Sequence, residues 1–285
     1  MQIQKSYIDN KTTLYIIPTP IGNLDDMTFR SVKILQELEF LFCEDTRVTQ
    51  KLLNHFEITI KTATYHEHNQ EYAGTKIIEL LNNGHSVGLV SDAGMPGISD
   101  PGYDIIRLAQ DHNFNIVVLP GASAFIVALV RSNFASKQFT YFGFLNKQPS
   151  KRSSELEVIL NTYHPTVVYE SPHKLVKTLK QIYEYAPTTK VLVAREISKK
   201  FEEYTSGTAE EVYDHYNNNG VKGECVIIVS PELQCEEIND PIAVYTKLVT
   251  SDNYTKKEAI KSVAKQMGVN KNKIYQLVLE SEQSE

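Results

Sequence analysis

The sequence predicts an α/β protein with two sheet-bearing domains, the first parallel-rich and the second mixed, followed by a small all-helical segment. Three observations predict it. Short apolar runs alternate with amphipathic stretches through most of the 285 residues, the signature of strands threaded with helices. Two of those runs feed directly into loops crowded with proline, glycine and aspartate or asparagine, as ligand-holding loops at strand ends do. An acidic stretch bounded by prolines, residues 231–241, is then followed by helical patterning alone.

In the first half, residues 14–17, 40–43, 62–65, 87–90 and 116–119 read as strands. They are short and apolar, as strands buried on both faces of a parallel sheet are. Between them, residues 27–38, 46–56, 70–81 and 104–110 read as helices. After Pro120-Gly-Ala-Ser-Ala124 an apolar helix runs to about Val130. A second set follows, with strands at 139–145, 166–169, 191–194, 201–206 and 225–229 and helices at 155–163, 174–185 and 209–216. Here strands lie adjacent more often, so the second sheet is predicted to be mixed. The predicted domains are residues 12–122 and 123–232, with the boundary in the turn at 121–125.

Residues 240–285 form the predicted helical segment. Thr255-Lys-Lys-Glu258 is a capping box, in which the threonine accepts from backbone N–H and the glutamate reaches back. The helix it starts, 256–267, ends at Gly268, and another begins near Lys271. Two helices around Gly-Val-Asn resemble a helix-turn-helix, a shape that helical hairpins without a nucleic-acid role also take.

The formal charge of −6 excludes a protein that coats nucleic acid indiscriminately, but the charge is uneven. From Tyr254 to Tyr275, Lys256, Lys257, Lys261, Lys265, Lys271 and Lys273 stand against the single acid Glu258. A second cluster, Lys147, Lys151 and Arg152, reads as a basic loop. Both suit phosphate contact, and both also suit solvated surface. No apolar run approaches the roughly 20 residues of a membrane span, and residues 1–10 lack the apolar centre of a signal peptide, so the expected location is the cytoplasm. Three cysteines without a CxxC pair fit a reducing compartment without disulfides or structural zinc.

The usual nucleotide fingerprints are absent. There is no GxxxxGK[ST], no strand followed by GxGxxG, and no GxSxG elbow. His66-Glu-His68 lacks a third ligand at suggestive spacing, and no metal site is expected. What stands out is polar chemistry at the ends of apolar strands: Glu44-Asp-Thr-Arg47, His66-Glu-His-Asn69, Glu170-Ser-Pro-His-Lys174 and Arg195-Glu196. Asp45 before Thr46 also reads as a helix cap. The loops of interest are Pro18-Thr-Pro-Ile-Gly-Asn23 and Ser91-Asp-Ala-Gly-Met-Pro-Gly-Ile-Ser-Asp-Pro-Gly102, whose aspartates read as hydrogen-bond acceptors and braces.

Taken in order, Pro-Thr-Pro-Ile-Gly-Asn-Leu (18–24), Glu-Asp-Thr-Arg (44–47), the 91–102 loop, Leu-Pro-Gly-Ala-Ser-Ala (119–124), Gly-Phe-Leu (143–145), Tyr-Glu-Ser-Pro-His-Lys (169–174), Ala-Arg-Glu (194–196) and Lys-Gly-Glu (222–224) resemble the ribosomal RNA small-subunit methyltransferase I family. That family lies in the tetrapyrrole methylase superfamily, the class III S-adenosylmethionine methyltransferases. The likeness covers essentially the whole chain. It departs at Lys174, where arginine is frequent, and at Gly97, where a larger residue is common.

The resemblance implies a tetrapyrrole methylase-like fold of two α/β domains, with S-adenosyl-L-methionine bent into the cleft between them, and a homodimer. It implies 2′-O-methylation of a cytidine ribose in the decoding region of 16S ribosomal RNA, presented naked or in the assembled small subunit, with neither DNA nor a membrane as partner. By motif position, Pro18 and Gly22 would border the cleft. Ser91, Asp92, Ala93 and Gly94, with Pro96 and Ile98, would hold the methionine and ribose portions, and Ser123 and Ala124 would flank them. From the second domain, Phe142, Tyr169, Ala194 and Glu224 would lie on the adenine side. For a ribose hydroxyl the protein must align the reactants and help one proton leave. Asp45 or Glu44, with Arg47 gripping a phosphate, are the first candidates, and Glu170 with Lys174 the alternative. A tetrapyrrole C-methyltransferase and a non-catalytic RNA-binding assembly factor remain as other readings.

Overall fold

A computed structural model of the chain describes residues 3–6, 8, 11–134, 137–230, 241–250, 254–267 and 269–282. Its first sheet is built from β1 (Thr13–Ile16), β2 (Phe40–Cys43), β3 (Lys61–Thr64), β4 (Val87–Val90) and β5 (Asn115–Val118). Their spatial order is β3-β2-β4-β1-β5, and every pairing is parallel. Parallel pairing puts all five carboxyl ends, and the loops that leave them, on one edge.

The helices divide between two faces. Leu35 of α1 (Phe29–Glu37) and Leu53 of α2 (Thr46–His55) pack with Ile17 and Leu41 on one side. On the other, Ile77 of α3 (Gln70–Asn82) and Ile105 of α4 (Tyr103–Asp111) pack with Leu14, Ile16 and Leu89. So β4 sends its helix to one face while both its neighbours, β1 and β2, send theirs to the other. That arrangement opens a crevice at the carboxyl end of β4.

The second sheet follows α5 (Ala124–Ser132) and comprises β6 (Thr140–Phe144), β7 (Thr166–Glu170), β8 (Lys190–Arg195), β9 (Glu203–Thr208) and β10 (Cys225–Val229). In the order β6-β7-β10-β8-β9 only the β6–β7 pair is parallel, so the sheet is mixed as expected. Ala128 and Leu129 of α5 cover one face, against Val167, Leu192 and Ile228. Helices α6 (Pro149–Leu160), α7 (Pro172–Tyr185) and α8 (Ala209–Asn219) cover the other through Leu156, Leu179 and Val212. The carboxyl ends of β6, β7 and β8 share an edge with the amino end of β10, and this edge faces the crevice of the first sheet.

Two helices start elsewhere than the periodicity predicts. The helix read at 27–38 starts only at Phe29, because Thr28 accepts from Ser31 N–H and caps that start, and a separate 3-10 turn, Leu24–Asp26, precedes it. The segment 146–153, read as a basic loop, contains the first turn of α6, which begins at Pro149 in the position where proline costs no helical hydrogen bond.

After the second sheet come α9 (Pro241–Thr250), α10 (Lys256–Met267) and α11 (Lys271–Glu282). Tyr245, Ala259, Val263, Ile274 and Val278 give them a core of their own. The capping box is present, with Glu258 N donating to Thr255 Oγ1 and Thr255 N donating to Glu258 Oε2. Residues 231–240 of the proposed linker and Gly268 lie outside the described residues. Among the described residues no helix is long and apolar enough to cross a membrane.

The β4–α4 loop closes on itself before α4 begins. Gly97 N donates to Pro101 O at 3.2 Å, and Gly102, at φ 145°, has room for a Cβ only 2.9 Å from Gly97 N. Gly102→Ala should therefore destabilise the protein by about 2 kcal/mol, since both backbone strain and a backbone clash oppose it. Urea unfolding measures this, and an unchanged midpoint would show that the ring does not depend on that glycine.

Candidate active site

The two edges enclose a cavity of about 390 Å³, within the range that small-ligand sites occupy. Every strand end that faces it contributes. From the first sheet come Ile21 after β1, Glu44 after β2, Asp92 to Met95 and Ile98 to Asp100 after β4, and Ser123 to Phe125 after β5. From the second come Phe144, Tyr169 to Pro172, Ile197, and Glu224 to Val226.

Backbone contacts fix the first-sheet loops against one another. Thr19 and Gly94 exchange N–H···O bonds of 2.9 and 3.0 Å, and Thr19 Oγ1 donates to Ser91 O at 3.0 Å. Pro18 packs flat on Gly121, where a Cβ would collide with the proline ring. On the far side of the cleft Gly22 lies under the stem of Lys199, whose ammonium binds Glu196 at 2.8 Å and Glu224 at 2.9 Å. The 97–102 ring touches the second sheet, where Ser99 Oγ and Tyr141 OH are 2.6 Å apart.

The electrostatics are one-sided. Glu44, Asp92, Asp100, Glu170 and Glu224 line the cavity, and no lysine, arginine or histidine does among the described residues. Glu224 is paired with Lys199, and Glu170 is compensated more completely. It is 5% exposed and sits 2.6 Å from Arg152 Nη2, with Thr178 Oγ1 donating at 2.7 Å and Ser171 N–H at 2.9 Å. Glu44, Asp92 and Asp100 are held in their ionised state less easily. Burial raises Glu44, helped by the charges of Asp92 and Asp45 and opposed by His66. Burial raises Asp92 as well. Burial first, and then the Glu44 charge, push Asp100 to about 7. Burial also raises the Tyr169 hydroxyl.

The sequence-based candidates separate cleanly. Glu44 and Glu170 reach the cavity; Asp45, Arg47 and Lys174 do not. Asp45 caps α2, accepting from Arg47 N–H at 2.8 Å, and its carboxylate binds the Arg47 guanidinium at 2.6 Å, which holds it at about 2. Lys174 is exposed in the first turn of α7. Asp92, Ala93, Gly94, Ile98, Ser123, Ala124, Tyr169 and Glu224 lie on the wall. Pro18, Ser91 and Pro96 are buried behind it, Ser91 being 2% exposed with its hydroxyl donating to Gly94 O at 3.4 Å, and Gly22 is exposed off the wall, against the stem of Lys199. Phe142 packs into the core on the opposite face of the second sheet, and Ala194 is fully buried within the sheet.

Sequence reasoning missed Asp100, Phe125, Phe144 and Ile197 on the wall. Asp100 lay inside a quoted motif and read as a brace. Strict alternation around Phe142 would have placed Phe144 on the same face, but the register shifts between Tyr141 and Gly143. Arg152, read as part of a basic loop, is 5% exposed and serves Glu170.

Residues 13–213 match the family described as Tetrapyrrole (Corrin/Porphyrin) Methylases. The chain is 40% identical over 283 residues to a Streptococcus pyogenes protein (serotype M18, strain MGAS8232) named Ribosomal RNA small subunit methyltransferase I, covering 97% of this chain and 98% of that one. A protein of the same name from Bacillus subtilis (strain 168) is 39% identical over 270 residues, 92% of each chain. Among solved structures, a cobalt precorrin-4 methyltransferase of cobalamin biosynthesis superposes with a TM-score of 0.60 at 17% identity, covering 76% of this chain and 94% of that one. Diphthine synthase does so with a TM-score of 0.59 at 12% identity, covering 78% and 90%. At such identities the likeness is one of fold.

Removing Arg152 leaves a buried carboxylate without its partner. Arg152→Met should cost about 3 kcal/mol or more, and adding Glu170→Leu should recover much of that loss. Denaturant unfolding of the single and double variants checks it; a neutral single variant would contradict the bracing role.

Proposed function

This chain belongs to the tetrapyrrole methylase family, and we propose that it transfers a methyl group from S-adenosylmethionine to the 2′ oxygen of a cytidine ribose in the decoding region of 16S ribosomal RNA. S-adenosylmethionine-dependent methylation of small-subunit ribosomal RNA follows from some 40% identity to its ribosomal relatives over 97% of the chain; the atom and the nucleotide are our reading.

The observation that carries the proposal is the charge arrangement of the cleft. A cavity lined with carboxylates and apolar side chains, and with no cationic side chain among its described wall residues, suits a small cationic ligand with apolar parts. S-adenosylmethionine has that chemistry. Asp92, Asp100 and Glu224 would face its positive charges, while Ile98, Phe125 and Val226 would cover its apolar surface. When bound, it supplies a methyl group already activated on a sulfonium.

What remains for the protein is to orient the acceptor hydroxyl and take its proton. Glu44 is the group suited to that step. It stands at the cavity, and its raised proton affinity brings it nearer to the working range of a general base. Asp45, held at about 2 by Arg47, is too weak a base and instead orders the amino end of α2. Arg47, with its side chain 87% exposed, is free to meet a phosphate while still paired.

Basic side chains stand exposed outside the acidic cavity. Lys147, Lys151 and Lys174 are exposed on the second-sheet side, and Lys257, Lys261, Lys271 and Lys273 are exposed on α10 and α11. These are the proposed grips for the RNA backbone, whether the substrate is naked RNA or the assembled subunit. The working form in this reading is a cytoplasmic homodimer.

Glu44→Gln should lower the single-turnover rate of methyl transfer to small subunits by about 100-fold or more, with the RNA still bound. Full activity would remove Glu44 from the chemistry. Replacing Lys257, Lys261 and Lys273 together by Gln should reduce the slope of log affinity for RNA against log salt by about 2; an unchanged slope in a filter-binding titration would remove the helical segment from the interface.

A further inference from the structure

Asp100 is one of the carboxylates that would face the donor's positive charges, and the fold holds it in the cavity wall firmly. The ring from Gly97 to Gly102 contains three positive φ angles, 84° at Gly97, 61° at Ser99 and 145° at Gly102. A serine in that region is strained, and such strain persists where surrounding contacts over-determine it. Those contacts are present: Gly97 N–H to Pro101 O within the ring, and Ser99 Oγ to Tyr141 OH across the cleft. Asp100 is therefore fixed between the two sheets.

Its surroundings are acidic on every side. Glu44 faces it from the end of β2, Asp92 from the end of β4 and Glu224 from the start of β10, with the Ser91 hydroxyl alongside. From the second sheet it is met by the hydroxyls of Tyr141 and Tyr169. The neighbouring carboxylates have partners elsewhere. Asp92 accepts from Asp45 N–H at 3.0 Å, and Glu224 binds Lys199 at 2.9 Å. Further out, Glu170 is paired with Arg152, Glu196 with Lys199, and Asp45 with Arg47; His66 lies toward Glu44. No cation of the protein lines the cavity among its described residues.

We propose that Asp100 is the group by which the cleft distinguishes the methyl donor from its demethylated product. Bound to the sulfonium of S-adenosylmethionine it is ionised; beside the neutral thioether of S-adenosylhomocysteine it keeps or regains a proton. The two ligands differ by one methyl group and one positive charge. A permanently ionised carboxylate beside an empty or product-filled cavity would be opposed by Glu44, Asp92 and Glu224 together, whereas the sulfonium relieves that repulsion. Donor binding near neutral pH thus expels a proton that product binding leaves in place. The inference rests on the donor assignment and not on the identity of the acceptor.

Isothermal titration calorimetry with S-adenosylmethionine and S-adenosylhomocysteine, in buffers of different ionisation heat, tests this. With Asp100 poised at about 7, donor binding should release about half a proton at pH 7, and donor affinity should rise about tenfold from pH 6 to pH 8 relative to product affinity. Asp100→Asn should abolish the difference in pH response while still binding the product. Glu44→Gln, which removes the nearest unpaired charge, should move the midpoint of proton release to lower pH, and it decides the matter if the Asn variant fails to fold. Identical pH responses for donor and product, or an unmoved midpoint in Glu44→Gln, would overturn the proposal. Failure of the wild-type protein to bind S-adenosylmethionine at all would overturn the donor assignment itself.

Discussion

The carboxylates that converge on the cleft have no cation of the protein's own to balance most of them. Burying a charge without a partner is costly, and folded chains ordinarily avoid it by pairing or neutralising the group. Here the fold does so for Glu170, through Arg152, and for Glu224, through Lys199. Glu44, Asp92 and Asp100 stay under-compensated, so their proton affinities rise. The remaining architecture follows from keeping them together. A parallel sheet delivers β2 and β4 to one edge, the 97–102 ring turns Asp100 inward, and the second sheet supplies Glu224 and the aromatic wall.

That interior stands in contrast to the outside. Some positive side chains are exposed outside the cavity, as Lys147, Lys151 and Lys174 are, and others brace its wall, as Arg152 and Lys199 do. In the proposed function a small cation would be drawn inside and a polyanion held outside, the partition an enzyme joining a sulfonium donor to RNA needs. The contact between Lys199 and Gly22 and the Ser99–Tyr141 hydrogen bond join loops of the first sheet to the second. Both sheets therefore contribute residues to one cavity.

Most of the fold was legible because the strands are short, uniformly apolar and punctuated by proline and glycine. Segments 40–43, 87–90 and 225–229 coincide with β2, β4 and β10. The start of α6 was not, because its first turn is rich in serine and lysine, and Arg152 gave no sign in sequence that it would be buried. Within the site, the motifs located the wall loops, yet period and position could not separate residues on the wall from those behind it. Phe142 and Phe144 show why, since a register shift in β6 decides which of them meets the cavity. The acidic surroundings of Asp100 depend on Glu44 and Glu224, from segments far off in sequence, which only the folded chain brings beside Asp92 of its own loop.

The most direct test is transfer of an isotopically labelled methyl group from S-adenosylmethionine to small ribosomal subunits that lack this modification, followed by nuclease digestion and mass spectrometry of the labelled nucleoside. The account predicts label on the ribose of a single cytidine in the decoding region. Label on a base, label on a tetrapyrrole precursor in place of RNA, or no transfer to subunits or their RNA would contradict it.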